Sequence, residues 1–307
     1  MKIYTLTLNP AYDVHATASK LALGCENLAD INSRQAGGKG VNISRALQSH
    51  QVNNTAVIVL GKENSGDFIR ELEDAGLNCL YWEREGRIRE NLTVHSTEGP
   101  ETRISFRGFS VDETTLTEIA QKLSVDEDTI VTFTGSIPAG IDHDSVLDFL
   151  RGLTKKGAKL VLDSKSLTLE DIFTLKPWLI KPNQEEISAY FNYWIESLDQ
   201  ALEKAAIFAK EGVTNVMVSL GHQGALLIND GKTYLAKPPV VDAISTIGAG
   251  DSAIAGFLAA ALQGKSPGEC LRTAVTYGTA ACLTEGTLPP LPQDTAAIFP
   301  TVTLEIL

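Results

Sequence analysis

The sequence predicts an α/β fold: a mostly parallel central sheet, helices on both of its faces, and a small separate β-sheet. Short apolar runs alternate with helical patterns along most of the chain, which is typical of parallel strands buried between two helix layers. Two β-rich segments, roughly residues 12–35 and 88–107, lie outside this alternation and are predicted to pair as the small sheet. No linker rich in Pro, Gly or Ser divides the chain, so residues 1–307 are predicted to form one domain.

The individual elements follow from residue patterns and turn residues. The first strand stops at Asn9-Pro10, one helix ends before Gly76, and Glu98-Gly99-Pro100 separates two alternating runs as a hairpin turn. Strands are predicted at 3–8, 56–60, 91–96, 102–106, 129–133, 159–162 and 215–219. Helices are predicted at 41–49, 65–75, 145–155 and 198–210.

Composition argues against several classes of function. The net charge of −12 argues against a nucleic-acid-binding surface. The four cysteines are scattered without metal-ligand spacing and are predicted to be reduced thiols: Cys25, Cys79, Cys270 and Cys282. The N-terminus lacks the pattern of a secretory leader, and the apolar stretch at 253–262 is too short to span a bilayer. We therefore expect a cytoplasmic protein that binds neither membranes nor nucleic acid.

The motif that points most directly to chemistry is STIGAGDS at residues 245–252, followed by a helical stretch. Glycines just before a helix let backbone N–H groups converge on an anion, and the helix dipole adds positive potential there. That potential is expected to lower the pKa of Asp251, and an ionised Asp beside a bound phosphate can accept the proton of an attacking hydroxyl. The alternative is that Asp251 caps an ordinary helix.

Two other motifs follow predicted strands or open helices. Residues 36–42 read AGGKGVN, which is not a P-loop, but its glycines permit close backbone approach, and Lys39 and Asn42 offer donors to hydroxyls or a phosphate. Residues 9–13 read NPAYD, where Asp13 could accept hydrogen bonds from two sugar hydroxyls. By itself the first segment could be a solvated loop, and Asp13 could be an ordinary turn residue.

In chain order, 9–13, 36–42 and 245–252, these three motifs resemble the signature regions of the PfkB (ribokinase-like) carbohydrate kinases, and in particular their phosphofructokinase branch. Three further segments resemble elements of that branch: residues 134–138 (TGSIP), 181–186 (KPNQEE) and 219–224 (SLGHQG). The similarity runs through nearly the whole chain. It implies a three-layer ribokinase-like fold whose small β-sheet, at roughly 12–35 and 88–107, acts as a lid over the sugar. It also implies a homodimer that pairs through this lid.

The resemblance implies a role for each matched residue. Asp251 would be the catalytic base, with Gly248, Ala249 and Gly250 as the anion hole. The sugar would be bound by Asp13, Gly37, Gly38, Lys39, Asn42, Arg89, Arg103 and Ser136. ATP would be bound by Lys181, Asn183, Ser219, Gly221, Gly224 and Gly278, while Glu186 would act on Mg²⁺ through water.

The phosphorylated state of the sugar is inferred from arginines in the predicted lid. Arg is suited to bidentate phosphate binding, and Arg89 followed closely by Asn91 matches the phosphofructokinase branch, whereas Arg103 is matched less closely. The predicted reaction is ATP-dependent phosphorylation of a phosphorylated ketohexose, with fructose 1-phosphate converted to fructose 1,6-bisphosphate. Tagatose 6-phosphate and fructose 6-phosphate remain open as acceptors.

Two further alternatives remain open at this point. The first is a kinase for an unphosphorylated sugar or nucleoside, and the second is a non-catalytic sugar-phosphate sensor on the same fold. Residues 276–279 read TYGT where some relatives place an Asn near the adenine, so a nucleotide other than ATP also remains open.

Overall fold

The computed structural model describes residues 1–307. Its strands are β1 Lys2–Thr7, β2 Ala11–Ala18, β3 Asp30–Gly37, β4 Thr55–Gly61, β5 Cys79–Arg84, β6 Arg89–Ser96, β7 Thr102–Ser105, β8 Thr129–Thr134, β9 Lys159–Asp163, β10 Leu179–Ile180, β11 Asn215–Ser219, β12 Ala225–Asn229, β13 Lys232–Lys237 and β14 Thr303–Ile306. Its α-helices are α1 Lys39–Ser49, α2 Ser65–Asp74, α3 Thr114–Lys122, α4 His143–Lys155, α5 Leu169–Leu175, α6 Gln184–Phe191, α7 Leu198–Lys210, α8 Ala249–Leu262, α9 Pro267–Ala281 and α10 Pro292–Ile298.

The central sheet has ten strands in the order β14-β13-β12-β11-β10-β9-β8-β1-β4-β5. In this spatial order, all neighbouring strands between β11 and the edge strand β5 are parallel. Strands β12, β13 and β14 extend the sheet beyond β11 in antiparallel fashion. The predicted mostly parallel sheet with an additional small sheet is confirmed. The hairpin β12–β13 was not predicted, although Asp230-Gly231 between its strands, both at positive φ, is a strong hairpin signal.

Helices cover both faces of this sheet. The helices α1, α8, α9 and α10 contribute to one core cluster of 26 buried residues, and α2 to α7 contribute to another of 46. Strand β9 shows how the two clusters meet, because Leu160 and Leu162 face the larger one while Val161 faces the smaller one. Burial on both faces explains why the parallel strands are continuous apolar runs.

The small sheet has the strand order β3-β2-β6-β7. Strands β2 and β6 are parallel with Asp13 opposite Asn91, while β6 and β7 form the predicted antiparallel hairpin. The sheet is fixed to the body where β3 leads into α1: Glu71 accepts from the backbone N–H of Ala36 at 2.6 Å, and Arg45 donates to the carbonyl of the same residue. This attachment holds the polar face of the small sheet beside the carboxyl ends of the central strands.

No helix in the structure combines the length and the apolar character that crossing a membrane requires.

Candidate active site

A cavity of about 540 Å³ lies between the small sheet and the carboxyl ends of the central parallel strands. Its walls include residues that end or follow β1, β8, β9 and β10, residues of the small sheet, and the first turn of α8. Carboxyl ends of parallel strands are the usual ligand sites of open α/β sheets. Only one of the 24 lining residues is hydrophobic, so the cavity is suited to a strongly polar ligand.

Most residues predicted for the site line this cavity: Asp13, Gly38, Lys39, Asn42, Arg89, Arg103, Ser136, Lys181, Asn183, Glu186, Gly248, Gly250 and Asp251. Ala249 lies between two of them at the start of α8. Gly37 lies against the Asp13 carboxylate, where an added Cβ would collide with Oδ2. Residues from five motifs far apart in sequence thus share one site.

Four residues predicted to bind the nucleotide are not in the cavity wall. Ser219 ends β11 and forms a bridge to Asn183, and Gly221 begins a short 3-10 turn that leads to Gly224. Gly224 has φ +97°, and a Cβ there would clash with the backbone of β13. Gly278 lies within α9, where a Cβ would be 3.1 Å from the carbonyl oxygen of Ala249 in α8. Close packing by itself therefore explains why glycine is needed at both positions.

The first turn of α8 presents Asp251 to the cavity without using it as a cap. Gly248 is the N-cap residue, with φ +79° and no side-chain hydrogen bond, and Asp251 is the third residue of the helix. The Asp251 carboxylate accepts from Asn42 Nδ2 at 2.9 Å instead. The capping alternative is therefore wrong.

The predicted lowering of the Asp251 pKa is also wrong. Burial raises the pKa of Asp251 to about 6, against the attraction of the Lys39 ammonium. The helix N-terminus does not overcome the loss of hydration, because a carboxylate with little access to water is costly to ionise. A pKa near 6 still leaves Asp251 largely ionised at neutral pH and close to the range that general bases use.

Two lysines in the cavity are held by one buried carboxylate that the sequence reasoning missed. Asp163 Oδ2 lies 3.1 Å from Lys39 Nζ and 3.5 Å from Lys181 Nζ. Burial alone would raise the pKa of Asp163, but the two ammonium groups outweigh it and keep that pKa below its usual value. Asp163 ends β9, so its place at the carboxyl end of a predicted strand was the signal that could have found it.

Asp13 is oriented by neighbours on the small sheet. Its Oδ1 accepts from Asn91 Nδ2 at 2.9 Å, and Arg103 Nη2 lies 3.7 Å from the same atom. Because Asp13 is buried and lies within strand β2, it is not an ordinary turn residue. Its remaining oxygen, Oδ2, faces the glycine turn at Gly37.

Arg89 and Ser136 lie at the same end of the cavity. Arg89 donates to the backbone carbonyls of Phe106 and Asn9 at 3.1 and 3.3 Å, and its Nε is buried without a partner. Ser136 Oγ accepts from Asn9 Nδ2 at 2.9 Å. The arginine is therefore held in place by carbonyl groups that leave its positive charge unneutralised.

Asn183 and Glu186 form a capping box at the start of α6. Asn183 Oδ1 accepts from the backbone N–H of Glu186 at 2.8 Å, and Glu186 Oε2 accepts from that of Asn183 at 3.0 Å. The other oxygen, Oε1, takes no part in the cap and lies 4.0 Å from Lys165 Nζ. The Asn-x-x-Glu pattern thus has a structural role and still leaves one carboxylate oxygen at the cavity.

Several polar atoms around the cavity are buried without a hydrogen-bond partner: Asn9 Oδ1, Asn42 Oδ1, Arg89 Nε, Asn91 Oδ1 and Thr134 Oγ1. An unpaired buried polar group is costly, and such groups are rare unless a ligand or water satisfies them. Three of these atoms are amide oxygens, which can only accept. Hydroxyl donors of a ligand or of water would satisfy such oxygens.

Comparison with known proteins gives a consistent result. The model of the pfkB family of carbohydrate kinases matches residues 7–294. The chain is 32% identical over 285 residues to 1-phosphofructokinase of Haemophilus influenzae, covering 91% of this chain and 90% of that protein. It is also 32% identical over 285 residues to 1-phosphofructokinase of Bacillus subtilis, with coverage of 92% and 93%.

Solved structures of phosphofructokinase-2 from Escherichia coli share the fold. The complex with substrates and products has a TM-score of 0.92 at 28% identity and covers 98% of this chain and 99% of that one. The complex with fructose-6-phosphate has a TM-score of 0.89 at 26% identity and covers 98% of both chains.

The raised pKa of Asp251 implies that the stability of the protein depends on pH. A carboxyl whose pKa is about 6 in the folded state and near 3.8 when unfolded favours folding when protonated, and this contribution is lost as the pH rises through 6. Asp251→Asn stays neutral at every pH, so it should raise the free energy of unfolding at pH 7.5, by at most about 3 kcal/mol. Thermal melts at pH 4 and 7.5 measure the difference, which should shrink at the lower pH.

Asp148→Asn is the matched control, because Asp148 is exposed on α4 and pairs only with its helix neighbour Arg151. Its effect on the melting temperature should be small at both pH values. A destabilised Asp251→Asn at pH 7.5 would show that ionised Asp251 is not strained by burial.

Proposed function

Because the chain belongs to the pfkB family of carbohydrate kinases, we propose that it transfers the γ-phosphate of ATP to a hydroxyl of a phosphorylated ketohexose. The preferred acceptor is fructose 1-phosphate, which becomes fructose 1,6-bisphosphate. One observation carries the proposal: a single cavity joins a buried carboxylate at a helix N-terminus, Asp251, to the unneutralised cation Arg89 on the small sheet. A sensor would need the cation but not the carboxylate.

Asp251 is the proposed general base. Its pKa of about 6 keeps it ionised at neutral pH while leaving it basic enough to take the proton of an attacking hydroxyl. The proton moves to Asp251 as the hydroxyl oxygen bonds to the γ-phosphorus and the bond to the ADP oxygen breaks. Asn42 holds the carboxylate in place through its 2.9 Å hydrogen bond to Oδ2.

The phosphate end of the cavity is proposed to lie at residues 248–250 and the two lysines. Backbone N–H groups at the start of α8 point along the helix axis towards a bound anion. Lys181 Nζ lies next to Gly250, where an added Cβ would be 3.0 Å from it. Lys39 and Lys181 can therefore neutralise charge on the transferred phosphoryl group, whose negative charge is spread over its oxygens.

ATP and Mg²⁺ are the proposed cofactors. Asn183, Ser219, Gly221, Gly224 and Gly278 are assigned to the nucleotide side, of which only Asn183 lines the cavity. Glu186 suits Mg²⁺, because its Oε1 is free of the helix cap and Mg²⁺ in phosphate sites keeps most of its waters. The metal would supply charge neutralisation between phosphate groups.

The sugar end is proposed to lie against the small sheet. Asp13, Asn42 and the turn at 37–38 face the sugar hydroxyls, while Arg89, Arg103 and Ser136 face its phosphate. Arg103 is less available than Arg89 to bind the phosphate, since its Nη2 also lies 3.7 Å from Asp13 Oδ1. The proposed lid role follows from this position, because closing the small sheet on the body would exclude water from the transferred phosphate.

Exposed apolar side chains of the small sheet and its connecting segments support a proposed homodimer through the lid. They are Ile31 on β3, Ile104 on β7, Leu23 and Leu28 between β2 and β3, and Phe106 just after β7. Exposed apolar surface is typical of an interface where it forms a patch. The protein is proposed to act in the cytoplasm, where phosphorylated sugars and ATP are available.

A panel of acceptors tests the function. The second candidate acceptor is fructose 6-phosphate, because a structural neighbour of this fold is a phosphofructokinase bound to that sugar. Tagatose 6-phosphate and unphosphorylated fructose complete the panel, with ADP release measured as kcat/KM. No turnover on any sugar phosphate would favour the sensor instead.

Asp251→Asn should reduce kcat by about 10²–10⁴-fold and leave ATP affinity nearly unchanged, because the isostere cannot accept a proton. Steady-state kinetics and ATP titration on the same preparation measure both quantities. Loss of ATP affinity with little loss of kcat would remove Asp251 from the role of base.

Gly250→Ala should lower activity without unfolding the protein. Its Cβ would sit 3.0 Å from Lys181 Nζ and move that ammonium away from Asp163 and the phosphate site. The matched control is Gly66→Ala, a helical glycine with open space around it. Normal kcat/KM in Gly250→Ala would show that neither the backbone nor Lys181 approaches the phosphate there.

Arg89→Ala tests the phosphate on the sugar. Loss of a charged hydrogen bond in a partly buried site costs about 1.5–3 kcal/mol, or roughly 10- to 150-fold in kcat/KM. Most of the loss should appear in KM on fructose 1-phosphate, and little further loss should appear on fructose. Arg107→Ala, which removes an exposed arginine of the same segment, is the control.

Equal losses on the phosphorylated and unphosphorylated sugars would assign Arg89 to the support of Asn9 and Phe106 instead. The phosphosugar assignment would then lose its physical basis.

A further inference from the structure

Thr287 is a buried residue of the cavity wall that belongs to none of the sequence motifs. It is 3% exposed and lies in the turn between α9 and α10. Its Oγ1 donates to Oε1 of Gln35 on β3 at 3.4 Å. The preceding residue, Gly286, lies against the same sheet, because a Cβ there would be 3.1 Å from Nε2 of His15 on β2. Residues 286–287 are thus a place where the small sheet touches the body.

Thr287 also packs against the turn that begins α8. A Cβ on Gly248 would lie 3.6 Å from Thr287 Cα and 3.8 Å from Thr287 Cβ. No side chain caps this end of α8, so the neighbours that pack against Gly248 help to fix the conformation of the turn. Asp251 follows in the same first turn. Thr287 therefore contacts the small sheet with its hydroxyl and the first turn of α8 with its carbon atoms.

The turn that carries Thr287 is closed by its own hydrogen bonds. Thr284 Oγ1 donates to the carbonyl of Ala281 at 2.8 Å and to that of Leu288 at 2.9 Å. The backbone N–H of Leu288 donates to the carbonyl of Glu285 at 3.2 Å. Close-packed and internally bonded segments deform little and move as units. A displacement on the side of the small sheet is therefore passed to the first turn of α8.

The contact with Gln35 differs from the fixed attachment of the small sheet. The hydrogen bond from Thr287 is 3.4 Å long, which is beyond the usual range for a hydroxyl donor, whereas Glu71 accepts from Ala36 at 2.6 Å where β3 leads into α1. A small movement of the sheet about its attached end would shorten or break the first bond and leave the second intact. The bond between Thr287 and Gln35 is therefore suited to change when the small sheet closes.

We propose that Thr287 is a positioning residue that links closure of the small sheet to the first turn of α8. Closure over a bound sugar shortens the contact between Gln35 and Thr287, and Thr287 then holds Gly248 in the arrangement that binds the transferred phosphate. ATP turnover is thereby favoured when a sugar is present and disfavoured when only water can accept the phosphate. This inference rests on the proposed function, because it takes the small sheet to be a lid over the sugar.

Thr287→Val tests the link, because it keeps the shape of the side chain and removes its hydroxyl. ATP turnover is measured with no sugar and with a saturating concentration of the sugar phosphate that has the highest kcat/KM in the acceptor panel. The ratio of the two rates measures how strongly the sugar promotes turnover. Thr287→Val should lower this ratio by about 3- to 10-fold, which corresponds to one neutral hydrogen bond. A purely structural role would lower both rates by the same factor and leave the ratio unchanged.

Gln35→Leu removes the same hydrogen bond from the side of the small sheet. It should lower the ratio as Thr287→Val does, and the double variant should lower it no further, because both changes remove one contact. Thr287→Ser keeps the hydroxyl and should keep most of the ratio. The matched control is Thr17→Val, since the hydroxyl of Thr17 bonds within the small sheet, to Asn32. Its ratio should equal that of the wild type.

Three results would overturn the inference. One is an unchanged ratio in Thr287→Val. Another is a double variant in which the two losses multiply, because the residues would then act independently. The third is a Thr287→Val enzyme in which only the KM of the sugar rises while Gln35→Leu behaves as the wild type, because Thr287 would then bind the sugar itself.

The outcome for the proposed function is separate. Absence of wild-type turnover on every sugar phosphate would refute that function, and binding would then decide the inference. The β,γ-imido analogue of ATP is titrated by calorimetry with and without each sugar phosphate of the panel. Tighter binding of the analogue when one of these sugars is present, in the wild type but not in Thr287→Val, supports the inference. Equal binding with and without every sugar in the wild type, or no binding, overturns it.

Discussion

The buried carboxylate of Asp163 between Lys39 and Lys181 is the interaction on which the active site depends. An acidic protein with a net charge of −12 must concentrate cations where it binds phosphate, and cations in a confined site repel one another. Asp163 Oδ2 holds both ammonium groups within 3.5 Å, which keeps them together beside the first turn of α8. Removing it would deprive the two lysines of their shared counterion, and breaking a buried ion pair typically costs about 3–5 kcal/mol.

The environment of Asp251 follows from that arrangement. The carboxylate is buried enough to raise its pKa to about 6, and Lys39 limits the rise. A carboxylate that is costly to ionise is also readily protonated, so the burial that lowers stability at neutral pH also suits Asp251 to its proposed role as base. Burial of Asp251 therefore lowers the free energy of unfolding while it favours the proposed proton transfer.

The small sheet supplies the other half of the site with a different kind of chemistry. Its inner face presents amide and carboxylate oxygens at Asn91 and Asp13, and its arginine Arg89 is held by backbone carbonyls and not by a carboxylate. In the proposed function, the body binds and neutralises the transferred phosphate, while the small sheet binds the hydroxyls and the phosphate of the sugar. Glu71 and Arg45, both in the body, hydrogen-bond to the backbone of Ala36 and tie the two halves together where β3 leads into α1.

The sequence by itself determined the α/β class, the parallel sheet, the small sheet and most of the residues that line the cavity. The fold elements follow from local patterns such as apolar runs and glycine turns before helices. Most of the site residues follow from the resemblance of short motifs, such as those that contain Asp13 and Asp251, to the PfkB kinases. Tertiary structure alone decided the rest. The pKa of Asp251 depends on burial. The two partners of Asp163 come from the start of α1 and from the residue that follows β10. The orientation of Asn91 depends on Asp13, which is 78 residues away. Local spacing carries no information about such contacts, because they form only when distant segments pack together.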